Sequence, residues 1–387
     1  MVKLSFKEAG SSHQLAVMVI FFVAIRIAAR TALFAVFETD PVDDVGLFSD
    51  MAQNPIGQYI GQGPGVARQF PPLFGWLVLP IGWLQALGLQ PGDAARVWFG
   101  AFELVMVLPL AHRAAAGGQY LLALFWLACP PLLATSTVFV QDEIIAATLL
   151  TVTLRVSGFD RQWMPMWLSS CFAAAKIFFA PIVLLALPGR PWRVYLASVV
   201  VLVVGYGGRL MHSGLDLPIL GNHFGVSIWS ASFMAGIGIS NMARWSTIMV
   251  GVWTFGWLWW AFATRPNREC TEVGTLGYLW GAFALLYHTN PEYYAIPFSL
   301  TCARWRANAL RPNALLGHAA AATLPFVHNV LHGLPKAPAI YQRIGPVWIE
   351  KAEDLSILLL AAMSVVVVAT AIMTITRTPS GAEPVNR

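Results

Sequence analysis

The sequence predicts an all-α, polytopic membrane protein, on the evidence of its composition, its length and its basic loops. Of 387 residues, 57% are hydrophobic and only 11% are charged, whereas a soluble domain carries roughly 25% charged residues. The length gives room for about ten spans of roughly 20 residues joined by short loops. Arginines spread over those loops account for the net charge of +5, which indicates the positive-inside pattern and not a nucleic-acid partner.

The first apolar run covers residues 14–37 and follows Lys3 and Lys7. It is too long for the apolar region of a signal peptide, and no small-residue cleavage site follows it. We therefore expect a first span with a cytoplasmic N-terminus. Arg26 lies near the middle of this span and needs a partner there, for which Glu103, inside a later apolar run, is the candidate.

The basic loops orient the remaining segments. When these loops lie in the cytoplasm, the intervening connections face the opposite side of the membrane. The basic loops are residues 112–113, 155–161, 190–193, 265–268, 304–311 and 377. The outer connections are residues 38–72, 135–143, the surroundings of Lys176, and residues 207–245, 288–292 and 331–354. Basic residues that oppose this bias are Arg244, Lys336, Arg343 and Lys351.

Two of the apolar runs are interrupted. Residues 163–187 contain Lys176 and Pro181, and we expect two shorter helices that meet near Lys176, because this keeps the flanking arginine loops on one side. A broken helix at membrane depth is tolerated where it lines a cavity in the protein. Residues 73–111 are interrupted by Pro and Gly, yet the charge pattern requires an odd number of crossings there. We count about 12 hydrophobic segments, some broken or re-entrant, with both termini cytoplasmic.

The chain forms one transmembrane domain over residues 1–376, and residues 377–387 read as a disordered cytoplasmic tail. The large first outer loop, residues 38–72, holds an acidic motif and a Gly/Pro stretch, and we expect it to carry short interfacial helices. The second outer loop, residues 207–245, is Gly-rich and aromatic with few charges. That composition favours a helix lying on the membrane surface.

Polar side chains lie inside or beside several apolar runs, and the predicted orientation brings them to one face of the membrane. Because charge is costly in hydrocarbon, such residues usually mark a site. The set comprises Asp43, Asp44, Asp50, Arg68, Gln141, Asp142, Glu143, Lys176, His288 and Glu292. Their convergence predicts an active site on the outer face. For the acidic loop alone, a solvated acidic surface, a general base and a metal ligand are all open.

The cysteines are the other residues that can bind metal. Cys129, Cys171, Cys270 and Cys302 show no metal-binding spacing. Three lie in apolar runs and one lies in a basic loop, so we expect neither a disulfide framework nor a zinc site. No cofactor is indicated, and a divalent metal at the acidic loop stays open.

The acidic motif resembles that of a known enzyme family. The run Asp-Asp-x-x-x-Phe-Ser-Asp-x-Ala from Asp43, followed by Arg-Gln-Phe-Pro-Pro-Leu from Arg68, resembles the first luminal loop of the GT-C mannosyltransferases. These include the enzyme that adds the first mannose of GPI anchors and bacterial polyprenyl-phosphate-mannose transferases. Asp44 matches the second Asp of the family's Asp-x-Asp. Val42 stands where the family has the first Asp, a place that Asp43 or Asp40 would fill.

Further matches keep their order over residues 30–297. Asp50 matches a later Asp of the same family loop. Lys176 opens a Lys-Ile-Phe-Phe-Ala-Pro run that is similar to the family's Lys-Ile-Tyr-Pro segment. The runs Gly-Asn-His-Phe-Gly around His223 and Asn-Pro-Glu-Tyr-Tyr around Glu292 resemble two further segments of the family.

The resemblance implies a GT-C-like fold and an inverting membrane glycosyltransferase. Such an enzyme moves a sugar, mannose by the family's example, from a polyprenyl-phosphate donor to the hydroxyl of a lipid-linked or glycan acceptor. The short loops and the high content of Ala, Arg and Trp favour a bacterial plasma membrane, with the active face in the periplasm. The donor carries one phosphate, so we expect no metal to be required.

The resemblance also implies roles for the polar residues. Asp44 is the expected base for the acceptor hydroxyl, with Asp50 and Asp43 as further candidates. The cations expected to hold the leaving phosphate are Arg68, Lys176 and His288. The side chains expected to bind substrate are Gln141, Asp142, Glu143, His223, Glu292 and Tyr293.

Other interpretations stay open. Lys176 can be a snorkelling residue near a helix end, His288 a core histidine, and the acidic residues of the outer face caps of helix N-termini. Tyr293 can belong to an interfacial aromatic belt. For the whole protein, the alternatives are a transporter or flippase for a lipid-linked sugar and a non-catalytic partner subunit of a glycosyltransferase. The sugar and the acceptor are open.

Overall fold

A computed structural model gives the architecture of most of the first 304 residues. It describes residues 9–37, 45–62, 70–138, 140–156, 161–176, 179–212, 242–264, 268–286, 291–304, and the single residues 362 and 369. Within this part of the chain 87% of residues are helical and none belongs to a strand. The predicted all-α class is therefore confirmed.

The first eight α-helices occupy the stretch up to residue 133. They are α1 Ala9–Phe37, α2 Val45–Gln53, α3 Pro55–Ile60, α4 Phe74–Leu77, α5 Leu79–Ala86, α6 Pro91–Ala116, α7 Tyr120–Leu127 and α8 Pro130–Leu133. A π-helical turn, Ala134–Val138, continues α8. Such turns carry one extra residue and occur frequently at functional sites.

The remaining described helices follow this turn. They are α9 Glu143–Thr151, α10 Met164–Ala174, α11 Phe179–Ala186, α12 Trp192–His212, α13 Met242–Thr264, α14 Arg268–Leu285 and α15 Ala295–Arg304. A second π-helical turn, Val152–Val156, extends α9, and short 3₁₀ turns at Arg161–Trp163 and Pro291–Tyr294 precede α10 and α15.

Several of these helices have the length and the surface of membrane spans. Within the described residues, four stretches are long and apolar enough to cross a bilayer: Ser12–Ala32, Pro91–Ala116, Tyr120–Val138 and Trp192–His212. Their exposed sides carry large apolar side chains, such as Ile20 and Ile27 on α1 and Val203 and Val204 on α12. Exposed apolar side chains of this kind are favourable in lipid and unfavourable in water. The structure thus indicates a membrane protein.

The first outer loop folds back onto the helices. Two short helices, α2 and α3, lie within residues 38–72, as predicted. The buried side of α2 carries Phe48, whose ring lies 5.2 Å from that of Phe99 on α6 and 6.0 Å from that of Phe70. Because aromatic rings bury a large apolar area, these contacts attach the loop to the core.

The interrupted segment at residues 163–187 consists of two helices, which confirms the predicted break. α10 ends at Ala174, α11 begins at Phe179, and Lys176 lies between them. The two helices pack against each other. The backbone N–H of Leu73 donates to the carbonyl of Ala173 at 3.1 Å, so the end of the first outer loop lies beside this break.

The second outer loop is shorter than predicted. α12 continues to His212, beyond the predicted boundary at 207, and α13 begins at Met242, before the predicted boundary at 245. The glycines that indicated a loop serve close packing instead, because a Cβ at Gly208 would overlap the ring of Tyr59. The Tyr59 hydroxyl donates to the carbonyl of Val204 at 2.7 Å. The interfacial helix expected at residues 213–241 lies outside the described residues.

The buried partner predicted for Arg26 is confirmed. Arg26 forms an ion pair with Glu103 on α6 and donates to the carbonyls of Phe22 and Leu127. The Glu103 side chain is fully buried and also accepts a hydrogen bond from the Ser136 hydroxyl at 2.6 Å. This network attaches α1 to α6 and to the π-helical turn.

Removing one member of this pair should destabilise the protein strongly. Glu103→Leu is expected to lower the free energy of unfolding by about 3–5 kcal/mol, because the Arg26 charge stays buried without its counter-ion. The double variant Arg26→Leu/Glu103→Leu should lose clearly less, since neither charge remains. Denaturant unfolding in detergent micelles, followed by tryptophan fluorescence, measures both values.

The control for this prediction is a second arginine of the same helix. Arg30 pairs with Asp93 at 2.9 Å, and both side chains are about a third exposed. Partly exposed pairs contribute about 0–1 kcal/mol, so Arg30→Leu should have a small effect. A double variant at Arg26 and Glu103 as unstable as Glu103→Leu alone would contradict the prediction.

Candidate functional site

Lys176 is the centre of a buried ionic cluster. Its Nζ lies 3.0 Å from Oδ2 of Asp142 and 2.8 Å from Oε1 of Glu143. The lysine side chain is 15% exposed, and the two carboxylates are almost fully buried. An ammonium group buried this deeply needs counter-charges at hydrogen-bonding distance, and here it has two. Lys176 is therefore not a snorkelling residue.

Two aromatic rings complete the surroundings of the ammonium group. Lys176 Nζ lies 5.5 Å from the ring centroid of Phe70 and 5.2 Å from that of Tyr293. Both distances are within the range of cation–π attraction. The Tyr293 ring packs on Phe283 of α14 at 5.7 Å. Residues from four separate parts of the chain thus meet at one point.

The local backbone presents both carboxylates to Lys176. Asp142 and Glu143 lie at the start of α9, where the helix dipole favours negative charge. Asp142 makes no capping hydrogen bond with its side chain, so the capping interpretation does not account for its position. Ahead of it, the backbone N–H of Gln141 donates to the carbonyl of Thr135 at 2.8 Å, and Val140 has a φ of 52°.

Arg209 was not predicted as a site residue, yet it holds the first outer loop next to the cluster. It lies near the end of α12 and is 4% exposed. Its Nη1 donates to the carbonyl of Phe70 at 2.8 Å and its Nη2 to that of Gln58 at 3.0 Å. The signal that could have identified Arg209 is a charged residue at the end of an apolar run.

The described part of the predicted site falls into three groups. Asp142, Glu143, Lys176 and Tyr293 meet, and Gln141 directly precedes them. Asp50 lies on the exposed side of α2, and no ion pair or hydrogen bond joins its side chain to Lys176 in the part of the chain that the structure describes. The backbone of Glu292 lies in the 3₁₀ turn beside Tyr293, while its side chain is outside the described residues. The predicted residues that also lie outside are Asp43, Asp44, Arg68, His223 and His288.

Within the described residues the cluster holds more carboxylates than cations. One ammonium faces two carboxylates there, and Oε2 of Glu143 is buried without a hydrogen-bond partner in that part of the chain. Buried polar atoms normally have partners, so such an oxygen is available to a ligand that donates a hydrogen bond. Carboxylates flanked by aromatic rings suit polyhydroxylated ligands, whose hydroxyls donate and whose C–H faces stack.

Metal-binding groups are absent from the described residues: His, Cys, Asp and Glu nowhere form a group of three or more suited to a metal ion. The two cysteines described there, Cys129 and Cys171, are free and buried. Cys270 and Cys302 have side chains outside the described part.

Comparison with known proteins identifies no relative of this chain. No protein-family model, no curated protein and no solved structure matches the chain. The resemblance of the first outer loop to the GT-C enzymes consequently rests on its motifs alone.

The ionic cluster generates a stability prediction. Lys176→Met should lower the free energy of unfolding at neutral pH by about 3–5 kcal/mol, because two buried carboxylates lose their counter-ion. Thermal or denaturant unfolding in detergent at neutral pH measures this.

A double variant at Lys176 and Glu143 tests whether the loss of stability is due to charge. Lys176→Met/Glu143→Gln also removes the carboxylate charge of Glu143, so it should be more stable than Lys176→Met at neutral pH. A Lys176→Met protein with the stability of the wild type would show that the ion pairs are not formed.

Proposed function

We propose that the protein is an integral membrane glycosyltransferase of the GT-C type. It transfers a sugar, with mannose as first candidate, from a polyprenyl-phosphate donor to the hydroxyl of a lipid-linked or glycan acceptor. Support comes from two independent directions, namely the ordered motifs of the sequence and the contacts around Lys176. The alternatives are a carrier of lipid-linked sugars and a non-catalytic subunit.

The meeting of predicted outer connections around Lys176 is the observation that carries the proposal. Phe70 from the first connection, Asp142 and Glu143 from the second, and Tyr293 from the segment after α14 all contact the Lys176 side chain. The sequence had placed these connections on one membrane face. Separate structural roles for these residues would not require the three segments to meet at one cation.

The proposed reaction is a single displacement at the anomeric carbon. The acceptor hydroxyl oxygen forms a bond to that carbon, and the bond from the carbon to the phosphate oxygen breaks, with its electron pair leaving on polyprenyl phosphate. A carboxylate takes the hydroxyl proton, and Asp44 is our choice for this base. Attack from the side opposite the phosphate inverts the anomeric centre, and no metal ion is needed in this scheme.

The charge of the cluster defines what Lys176 can contribute. It shares its ammonium between Asp142 and Glu143, so it stabilises a leaving phosphate together with other cations, for which Arg68 and His288 are the candidates. The free oxygen of Glu143 accepts a hydrogen bond from a sugar hydroxyl. Tyr293 and Phe70 offer ring faces to the sugar.

The proposal includes an architecture and a location. The chain is expected to contain about 12 hydrophobic segments in a GT-C-like arrangement, in a bacterial plasma membrane with the active face toward the periplasm. The polyprenyl chain of the donor then lies among membrane lipids, and the phosphate reaches the site at the outer interface. The lipid-linked or glycan acceptor approaches from the periplasmic side as well.

A carrier of lipid-linked sugars is the second candidate, and the broken helix favours it. Transporters place charged residues at interruptions of membrane helices, as α10 and α11 do around Lys176. A carrier moves its substrate without breaking the bond between sugar and phosphate. An assay of that bond therefore separates the two candidates.

The decisive measurement is sugar transfer in membranes that express the protein. Wild type should convert radiolabelled polyprenyl-phosphate mannose into a new glycosylated product, and Asp44→Asn should lower this rate by at least about a hundredfold, the size of a general-base contribution. Lys176→Gln should reduce it by a similar order, since the leaving phosphate loses a charge partner.

One control tests whether any change of a charged residue lowers the rate, and two further outcomes test the choice of base and the reaction itself. Arg30→Gln changes a charged residue of the same protein outside the cluster and should keep the wild-type rate. Equal transfer by wild type and Asp44→Asn would remove Asp44 as the base and point to Asp50. No transfer by wild type with any polyprenyl-phosphate sugar would refute the enzymatic proposal and favour a carrier or a partner subunit.

A further inference from the structure

A chain of buried polar contacts connects α1 and α6 with the segment that bears the site carboxylates. Glu103 on α6 receives hydrogen bonds from Arg26 and from the Ser136 hydroxyl. The Ser136 hydroxyl also lies 3.1 Å from that of Thr137. Arg96 donates from Nε to the backbone carbonyl of Thr137 at 2.8 Å. Two charged residues of one helix thus hold two consecutive residues of the π-helical turn.

The π-helical turn is buried and needs such support. All five of its residues, Ala134–Val138, are buried, so a polar group that lost its partner there would be costly. A π-helical turn is rare because its extra residue disturbs the regular α-helical hydrogen bonds. The charge-assisted contacts from Glu103 and Arg96 are stronger than neutral hydrogen bonds, so they favour this conformation over a continuous α-helix.

The turn determines where the carboxylates point. The Gln141 N–H returns to the carbonyl of Thr135 within the turn, at 2.8 Å. Val140 adopts a positive φ of 52°, which a β-branched residue rarely does. Strained residues persist where the surrounding structure fixes both sides of them. One side is the turn held by Glu103 and Arg96, and the other is the ion pair of Asp142 and Glu143 with Lys176.

From these contacts we infer that Glu103 and Arg96 are positioning residues, which act through Ser136 and Thr137 to orient Asp142 and Glu143 toward Lys176. Neither of the two charged residues touches the cluster in the described structure. Their effect passes through the π-helical turn and the bend at Val140. The catalytic consequence of this inference rests on the proposed function, whereas the geometric part can be tested without any substrate.

The test uses the chemical reactivity of Lys176. Paired with two carboxylates it remains an ammonium ion, which has no lone pair to attack an acylating reagent. If the carboxylates turn away, burial favours the neutral amine, and the group becomes acylable. Brief treatment with acetic anhydride, followed by peptide mass spectrometry, measures acetylation of Lys176 relative to Lys3 and Lys7 of the same chain.

Ser136→Ala is the variant of choice because it removes one hydroxyl and leaves the pair of Arg26 and Glu103 intact. Acetylation of Lys176 should rise about tenfold, the ratio that corresponds to roughly 1.4 kcal/mol. Arg96→Lys, which loses the Nε donor to the Thr137 carbonyl, should change labelling in the same direction. It keeps the inference testable if Ser136→Ala does not fold.

The matched control is Ser246→Ala. Its hydroxyl is equally buried and donates to the Leu285 carbonyl at 2.7 Å on α14, outside the network, so its removal should leave labelling unchanged. Glu143→Gln loses a direct partner of Lys176 and sets the upper level of labelling. Wild-type labelling in both Ser136→Ala and Arg96→Lys, with raised labelling in Glu143→Gln, would overturn the inference, as would an equal rise in Ser246→Ala.

The transfer assay separates this inference from the proposed function. Where wild type transfers sugar, Ser136→Ala should lower kcat/KM for the donor about tenfold, because a misaligned Glu143 holds the sugar hydroxyl less well. A rise in Lys176 labelling in a protein without transfer activity would support the positioning role and reject the glycosyltransferase.

Discussion

The ion pairs of Lys176 with Asp142 and Glu143 are the interaction on which the packing around the break between α10 and α11 depends. An isolated ammonium in this buried place would be too costly to maintain, so the break between α10 and α11 must face the start of α9. That requirement fixes the relative position of helices far apart in sequence. The aromatic rings of Phe70 and Tyr293 then fill the remaining space around the charge.

The cost of a buried unpaired charge also determines how the apolar helices α1 and α6 pack. Arg26 and Glu103 are each tolerable there only because of the other, and their pairing gives α1 a defined place beside α6. Ser136 shares the Glu103 carboxylate, which brings the π-helical turn into the network. In a soluble protein, burial of apolar area drives helices together. Lipid provides little hydrophobic driving force for helix association, so charge pairing holds these helices together instead.

The sequence was sufficient for features that depend on the cost of charge in an apolar medium. It predicted the helical membrane class, the break at Lys176 and the pairing of Arg26 with Glu103. It did not predict that Lys176 binds the two carboxylates, since spacing along the chain gives no distances across it. It also misjudged the glycines at the end of α12, because the residue that allows a loop equally allows the Tyr59 ring to approach a helix. Arg209 carries the signal of a charge at the end of an apolar run, but two of its partners are backbone carbonyls, which no sequence pattern marks, so its contact with residues 58 and 70 could not be predicted.

Under the proposed reaction, the shared ammonium couples binding of the donor phosphate to binding of a hydroxyl by the carboxylates. A phosphate that approaches Lys176 competes with Asp142 and Glu143 for the same donors, because a lysine has only three N–H groups. The third N–H can bind the phosphate directly, but every further hydrogen bond to the phosphate withdraws a donor from a carboxylate oxygen, which then becomes a better acceptor for a hydroxyl. Donor binding would therefore prepare the carboxylates to hold the sugar or its acceptor. A cluster with one cation and two carboxylates suits this exchange, whereas a cluster of cations alone would bind phosphate and release it slowly.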